Sequence, residues 1–155
     1  MEQSLKLNDE ITVGSQPTSE QLQELSREGF RTIVNFRNAG EDDASLSPLE
    51  EGDRVDAMGM RYLHVPVTMK AMTAGRVDQF RAKYPELPKP IFAHCKTGKR
   101  AGAMAIMNIA VDQGWTGSET LAKAEQIGLD CDQPELQEFI RAYVDARTNS
   151  SVPTA

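Results

Sequence analysis

The stretch "IFAHCKTGKRAGAMAIMNIA", residues Ile91 to Ala110, decides the fold. Ile91, Phe92 and Ala93 are apolar at every position, as in a strand covered on both faces and therefore central in its sheet. From Ala103 to Val111 the residues Ala103, Met104, Ile106, Met107, Ala110 and Val111 are apolar almost all round, the pattern of a buried helix. A central strand leading through a tight loop into a buried helix is one unit of an α/β domain.

Outward from that unit, short β-like runs alternate with helical ones. Ile11–Val13 reads as a strand closed by Gly14, Thr32–Phe36 as a second and Arg61–Val67 as a third. Between them, Thr18 and Gln21 form a capping box ahead of Leu22 and Leu25, with that helix ending near Gly29. Ser47, Pro48 and Glu50 open a short helix, and Thr73–Tyr84 is a helix stopped by Pro85 and Pro88. Gly114 ends the buried helix, and Thr116 with Glu119 caps the next, with Leu121, Ala124 and Ile127 inward. Leu136, Phe139, Ile140, Tyr143 and Val144 mark a last amphipathic helix. The expected architecture is a single α/β domain over residues 1–148, with a mostly parallel central sheet flanked by helices and a flexible tail at 149–155.

Composition narrows the function classes. The chain has 155 residues, 39% hydrophobic and 26% charged, enough to bury a core without staples. No secretory pattern opens it and no apolar run nears the ~20 residues of a membrane span, so a cytoplasmic protein with no membrane partner is expected. The formal net charge of -6 disfavours nucleic acid as a partner. Two cysteines and two histidines give neither a disulfide framework nor a zinc-type cluster, so no metal and no cofactor are expected.

Against that acidic background, Lys96, Lys99 and Arg100 follow Cys95 within five residues. A loop between a strand and a helix N-terminus points backbone N–H groups inward and makes an anion cradle, and Gly98 lets the chain adopt the required turn. A free thiol titrates near ~8.5, and a helix N-terminus with nearby cations lowers it by one to several units. Cys95 is therefore read as a thiolate nucleophile and Arg100 as the planar fork that grips an anionic substrate. Lys96, Thr97, Gly98, Lys99, Arg100 and Ala101 are the binding loop. His94 is read as orienting that loop, and Arg37 as reaching the site from a strand end or pairing with the acidic loop beside it. Cys131 is read as an ordinary loop cysteine, with a resolving thiol as the alternative.

HCKTGKR, preceded by FRTIVNFR and GMRYLHVPV, resembles the bacterial beta-lactamase-hydrolase-like family, whose members have been described both as phosphatases and as sulfurtransferases. "SQPT" and "NFR" are weaker supporting matches, and the likeness runs roughly from Ile11 to Leu129. In layout it is similar to dual-specificity and protein tyrosine phosphatases, so the resemblance implies a dual-specificity-phosphatase-like fold. Three departures from the phosphatase pattern bear on the chemistry. Four residues, not five, separate Cys95 from Arg100, which is the rhodanese loop length. Ala101 stands where those phosphatases carry a hydroxyl. The segment VPVTMKAMTAG, where their acid would lie, has no Asp or Glu, which leaves Glu41, Asp42 and Asp43 as substitutes only if the fold brings them over Cys95.

The favoured reading is a rhodanese-like sulfurtransferase. Cys95 takes a sulfane sulfur from thiosulfate or a small persulfide and passes it to a thiol acceptor or a persulfide-handling protein, a cycle that needs no strong acid. A phosphatase acting through a phosphocysteine is the first alternative. A non-catalytic carrier of persulfide or anion is the second.

Overall fold

In the computed structural model, residues 4–39, 46–68, 70, 72–129 and 131–151 are described. Strand β5 (Ile91–His94) is buried at all four positions and lies at the centre of a five-stranded sheet of order β1-β2-β5-β3-β4. Strands β2 (Ile11–Gly14) and β3 (Thr32–Asn35) flank it in parallel, and β4 (Arg61–His64) pairs in parallel with β3. Among the described residues the one antiparallel strand is β1 (Leu5–Lys6), a two-residue edge piece that the sequence does not announce because it is too short to alternate.

Alternation along the strands sends side chains into two cores. Ile11, Val13, Val34, Ile91 and Ala93 face one side, where they meet α3 (Ala74–Lys83), α4 (Lys99–Gln113) and α6 (Pro134–Ser151). Ile33 and Phe92 face the other, against Leu22 and Leu25 of α1 (Ser19–Arg27) and Val55 of α2 (Pro48–Ala57). Helix α5 (Gly117–Ile127) packs outside α4 and α6. At about 1.5–3 kcal/mol for each fully buried large side chain, these two layers can hold a polar cluster that is costly to bury.

The capping boxes at Thr18/Gln21, Ser47/Glu50 and Thr116/Glu119 form as the sequence implies. Where the elements differ from expectation, backbone chemistry explains it. Strand β4 stops at His64, since Pro66 has no N–H to give, yet Val65 N and Val67 N still donate to Asn35 O and Phe36 O at 2.9 and 3.0 Å. Helix α3 begins after its cap Thr73, and Pro85 falls inside a 3-10 turn, Tyr84–Glu86. Helix α6 continues through Ser151, past the expected boundary at 148.

The register sets up the site. Gly14, Asn35 and His94 stand side by side across the three inner strands, and Asn35 pairs with His64. The turns that follow β2, β3, β4 and β5 thus gather at the carboxyl edge of the parallel strands, where open α/β sheets bind their ligands.

Candidate active site

Cys95 follows the last residue of β5 and is fully buried. The chain then turns through Lys96, Thr97 and Gly98 into α4. Gly98 caps that helix in the left-handed conformation, φ 99°. A Cβ there would meet the carbonyl carbon of Gly14 at an ordinary contact distance of 3.4 Å, so it is the backbone conformation that calls for glycine. The turn directs two amides at the sulfur: Gly98 N–H donates to Cys95 Sγ at 3.1 Å and Ala101 N–H at 3.4 Å. Both are N-terminal amides of a fifteen-residue helix, whose positive end also faces the sulfur.

The remaining loop residues divide by exposure. Lys96 and Thr97 are exposed at the tip, Lys99 and Arg100 are half-buried, and Ala101 is buried. Arg100 donates from one guanidinium nitrogen to Val67 O at 2.8 Å, which fastens the loop after β4 to the cysteine loop. Gln16 N–H donates to Lys96 O at 3.3 Å and fastens the turn after β2 to it from the other side.

His94 points to the opposite face of the sheet from Cys95, as neighbours in a strand do. Its Nε2 lies 2.5 Å from Glu51 Oε2 and its Nδ1 3.4 Å from Cys95 O. Glu51 is itself fully buried, and its Oε1 accepts from Gln16 Nε2 at 2.7 Å. Gln16 Oε1 in turn accepts from a guanidinium nitrogen of Arg37 at 2.6 Å, and Arg37 is only 3% exposed. Arg37 thus reaches the underside of the site through Gln16. The Tyr62 phenol closes this cluster, accepting from Asn35 Nδ2 at 2.9 Å. Burial first and the Glu51 carboxylate second push its ionisation well above the ordinary range, so it stays neutral.

Glu51 and the side chain of Gln16 are members of the site that reasoning from sequence passes over. The signal for Glu51 was its spacing, four residues before Val55, which puts a carboxylate on the buried face of α2. Gly52 permits that approach, for a Cβ there would lie 3.1 Å from the Tyr62 ring. Glu41, Asp42 and Asp43 lie outside the described residues. Cys131 is half-buried, its carbonyl accepts from Gln137 Nε2 at 2.8 Å, and neither it nor Cys95 is in a disulfide. Among the described residues no group of three or more His, Cys, Asp or Glu could hold a metal ion. No helix among them is long and apolar enough to cross a membrane.

Residues 5–113 match the family model described as "Beta-lactamase hydrolase-like protein, phosphatase-like domain". The chain belongs to that family. A beta-lactamase hydrolase-like protein of Agrobacterium fabrum is 32% identical over 109 residues, 70% of this chain and 25% of that protein. The chain therefore spans about a quarter of the length of that curated relative. In three dimensions this phosphatase-like domain is similar to a glycine-to-alanine form of Tk-PTP, with TM-score 0.78, 16% identity, and 97% and 99% of the two chains covered. It is also similar to P. aeruginosa TpbA solved with phosphotyrosine, with TM-score 0.69, 21% identity, and 95% and 88% covered. At such identities the likeness establishes the fold. That fold is the one expected from the sequence, a single α/β domain of phosphatase type. The comparisons correct the chemical preference, however: the phosphatase alternative fits them better than the sulfurtransferase reading.

Proposed function

We propose that the protein is a cysteine-dependent phosphoric ester hydrolase that works through a phosphocysteine at Cys95. The observation that carries this reading is the Cys95 sulfur held under the N–H groups of Gly98 and Ala101, at the N-terminus of α4, in a fold of phosphatase type. The Cys95 thiolate attacks phosphorus, a P–S bond forms, and the P–O bond to the leaving group breaks. The departing oxygen leaves as its anion or takes a proton from water. Water then attacks phosphorus, the P–S bond breaks, and inorganic phosphate leaves with the thiolate restored. Arg100 and the amides of the cysteine loop, those of Gly98 and Ala101 among them, hold the equatorial oxygens, and Lys96 and Lys99 draw a small anionic substrate to a chain that is otherwise acidic. A reducing compartment such as the cytoplasm keeps Cys95 a thiol.

The loop after β4 carries no carboxylate, and Arg100 ties that loop to the site by a backbone carbonyl. With no acid supplied there, the enzyme favours esters whose leaving group departs without full protonation, aryl phosphates over alkyl phosphates. The same observation, with the four-residue spacing and Ala101, supports sulfur transfer as a second reading, since a sulfite or thiolate leaving group needs no strong acid.

One assay separates the two. Purified protein and Cys95→Ser are given p-nitrophenyl phosphate in one arm, and thiosulfate with cyanide in the other. Release of p-nitrophenol that is lost in Cys95→Ser, with no thiocyanate formed, is expected. Thiocyanate formation that depends on Cys95, without phosphate release, would move the assignment to sulfur.

A further inference from the structure

A fully buried carboxylate is costly, because desolvation penalises a charge by several kcal/mol unless partners offset it. Glu51 is such a group. All the partners found for it lead to the cysteine loop. Its Oε2 meets His94 Nε2 at 2.5 Å, and its Oε1 takes the Gln16 amide at 2.7 Å, while the backbone of the same Gln16 holds Lys96 O. Hydrophobic packing would serve α2 better than this arrangement if stability alone were at stake.

The His94 ring faces acceptors on both sides. A carboxylate and a peptide carbonyl can only accept, so the Glu51 oxygen and Cys95 O are both satisfied by the ring when each nitrogen carries a proton. We propose that Glu51 is a positioning residue for the nucleophile, holding His94 as an imidazolium behind the cysteine loop, against the Cys95 carbonyl. Glu51 meets His94 directly and Arg37 only through Gln16, and His94 is the group next to the thiol in the chain. Among the described residues, the titratable or charged groups joined to it directly or through Glu51 are Glu51 from α2, Arg37 from the turn after β3, Tyr62 from β4, and Cys95, whose carbonyl it meets. Tyr62 stays neutral. The opposite charge on His94 favours the Cys95 thiolate, and Glu51 keeps that charge in place.

This inference rests on Cys95 being the nucleophile. It does not depend on whether the substrate offers phosphorus or sulfur. The test labels the native protein with 15N-histidine and records long-range proton–nitrogen spectra near neutral pH, where only two histidines contribute. His94 is expected to show the pattern of two protonated nitrogens, and a neutral-tautomer pattern would overturn the proposal. In parallel, iodoacetamide alkylation of Cys95 is followed against pH in a Cys131→Ser background, with and without Glu51→Gln. Loss of the carboxylate should move the profile to higher pH by about one unit, and lower kcat on the working substrate about tenfold with KM little changed. The change Asp53→Asn, on the exposed face of the same helix, should move neither. A profile for Glu51→Gln that stays in place or moves to lower pH would also overturn the proposal. If Glu51→Gln does not fold, the native spectra decide alone. Absence of phosphatase activity with both readouts as expected would count against phosphorus and leave the role of Glu51 standing.

Discussion

At the scale of single residues, Cys95 is set apart by what points at it. Two helix-end amides converge on its sulfur, and each depends on Gly98 at φ 99°. Gly98→Ala should cost roughly 1–2 kcal/mol of stability for the left-handed backbone, and activity should fall further than folding does because the amides lose their aim. Urea unfolding and kcat/KM measured on the same preparation check both halves. Arg100 holds Val67 O, and in the proposed reaction its planar face also meets an oxyanion. Lysine keeps the charge and loses the fork, so Arg100→Lys should reduce kcat/KM by about a hundredfold while leaving the thermal midpoint nearly unchanged. Equal activity in the lysine variant would show that charge alone suffices. Cys95 and the loop through Ala101 could be read directly from the chain, because strand, thiol, glycine, arginine and helix occur in a fixed order. Glu51 and Gln16 could not, since each acts through partners far away in sequence, and nothing local marks a side chain whose role is set by a strand from elsewhere.

At the scale of elements, caps and cross-helix ties fix the frame. Ser47 caps α2, the helix that delivers Glu51, and its hydroxyl accepts from Glu50 N at 3.1 Å. Ser47→Ala should destabilise the protein by about 1 kcal/mol, and fraying of that first turn should also slow alkylation of Cys95. Asp78 of α3 binds Arg147 of α6 through two bonds of 3.0 Å and accepts from Tyr143 OH at 2.6 Å. The Arg147 bonds above all, opposed by partial burial, hold the Asp78 carboxyl below its ordinary value of 3.8. A carboxylate depressed in the folded state stabilises above its unfolded value, and that support fades as pH falls through the folded one. Asp78→Asn should thus cost about 1 kcal/mol near neutrality, a figure kept small because the pair is half exposed, and the gap to wild type should close as pH drops below about 4. Urea titrations at neutral and acid pH test the sign; a gap that widens in acid would contradict it. The three capping boxes and the buried face of α4 were legible because helix periodicity and caps are local signals. Strand β1 and the stop of β4 at His64 were not, because a two-residue strand has no period and an edge strand ends where its partner lets it.

At the scale of the whole molecule, the parallel register is what makes a site. It brings Gln16, Arg37, Val67 and Cys95 from four separate turns to one edge of the sheet. Fold class followed from the alternation of short apolar runs and helices, whereas the choice between phosphorus and sulfur did not. Loop spacing and the missing acid speak to chemistry, but the sheet order and its relatives speak to phosphatases. With no carboxylate on the turn after β4, rates across a series of phosphate esters should fall steeply as the leaving group becomes more basic. A flat series would mean that an acid reaches the leaving oxygen from elsewhere in the chain.

The most direct measurement mixes the protein with an aryl phosphate, quenches in acid within one turnover, and determines intact mass and the modified residue. A single phosphoryl group on Cys95, absent from Cys95→Ser and lost on incubation before the quench, is the expected result. Product release with no phosphoryl group on Cys95, or a protein that gains only sulfur from thiosulfate, would contradict it.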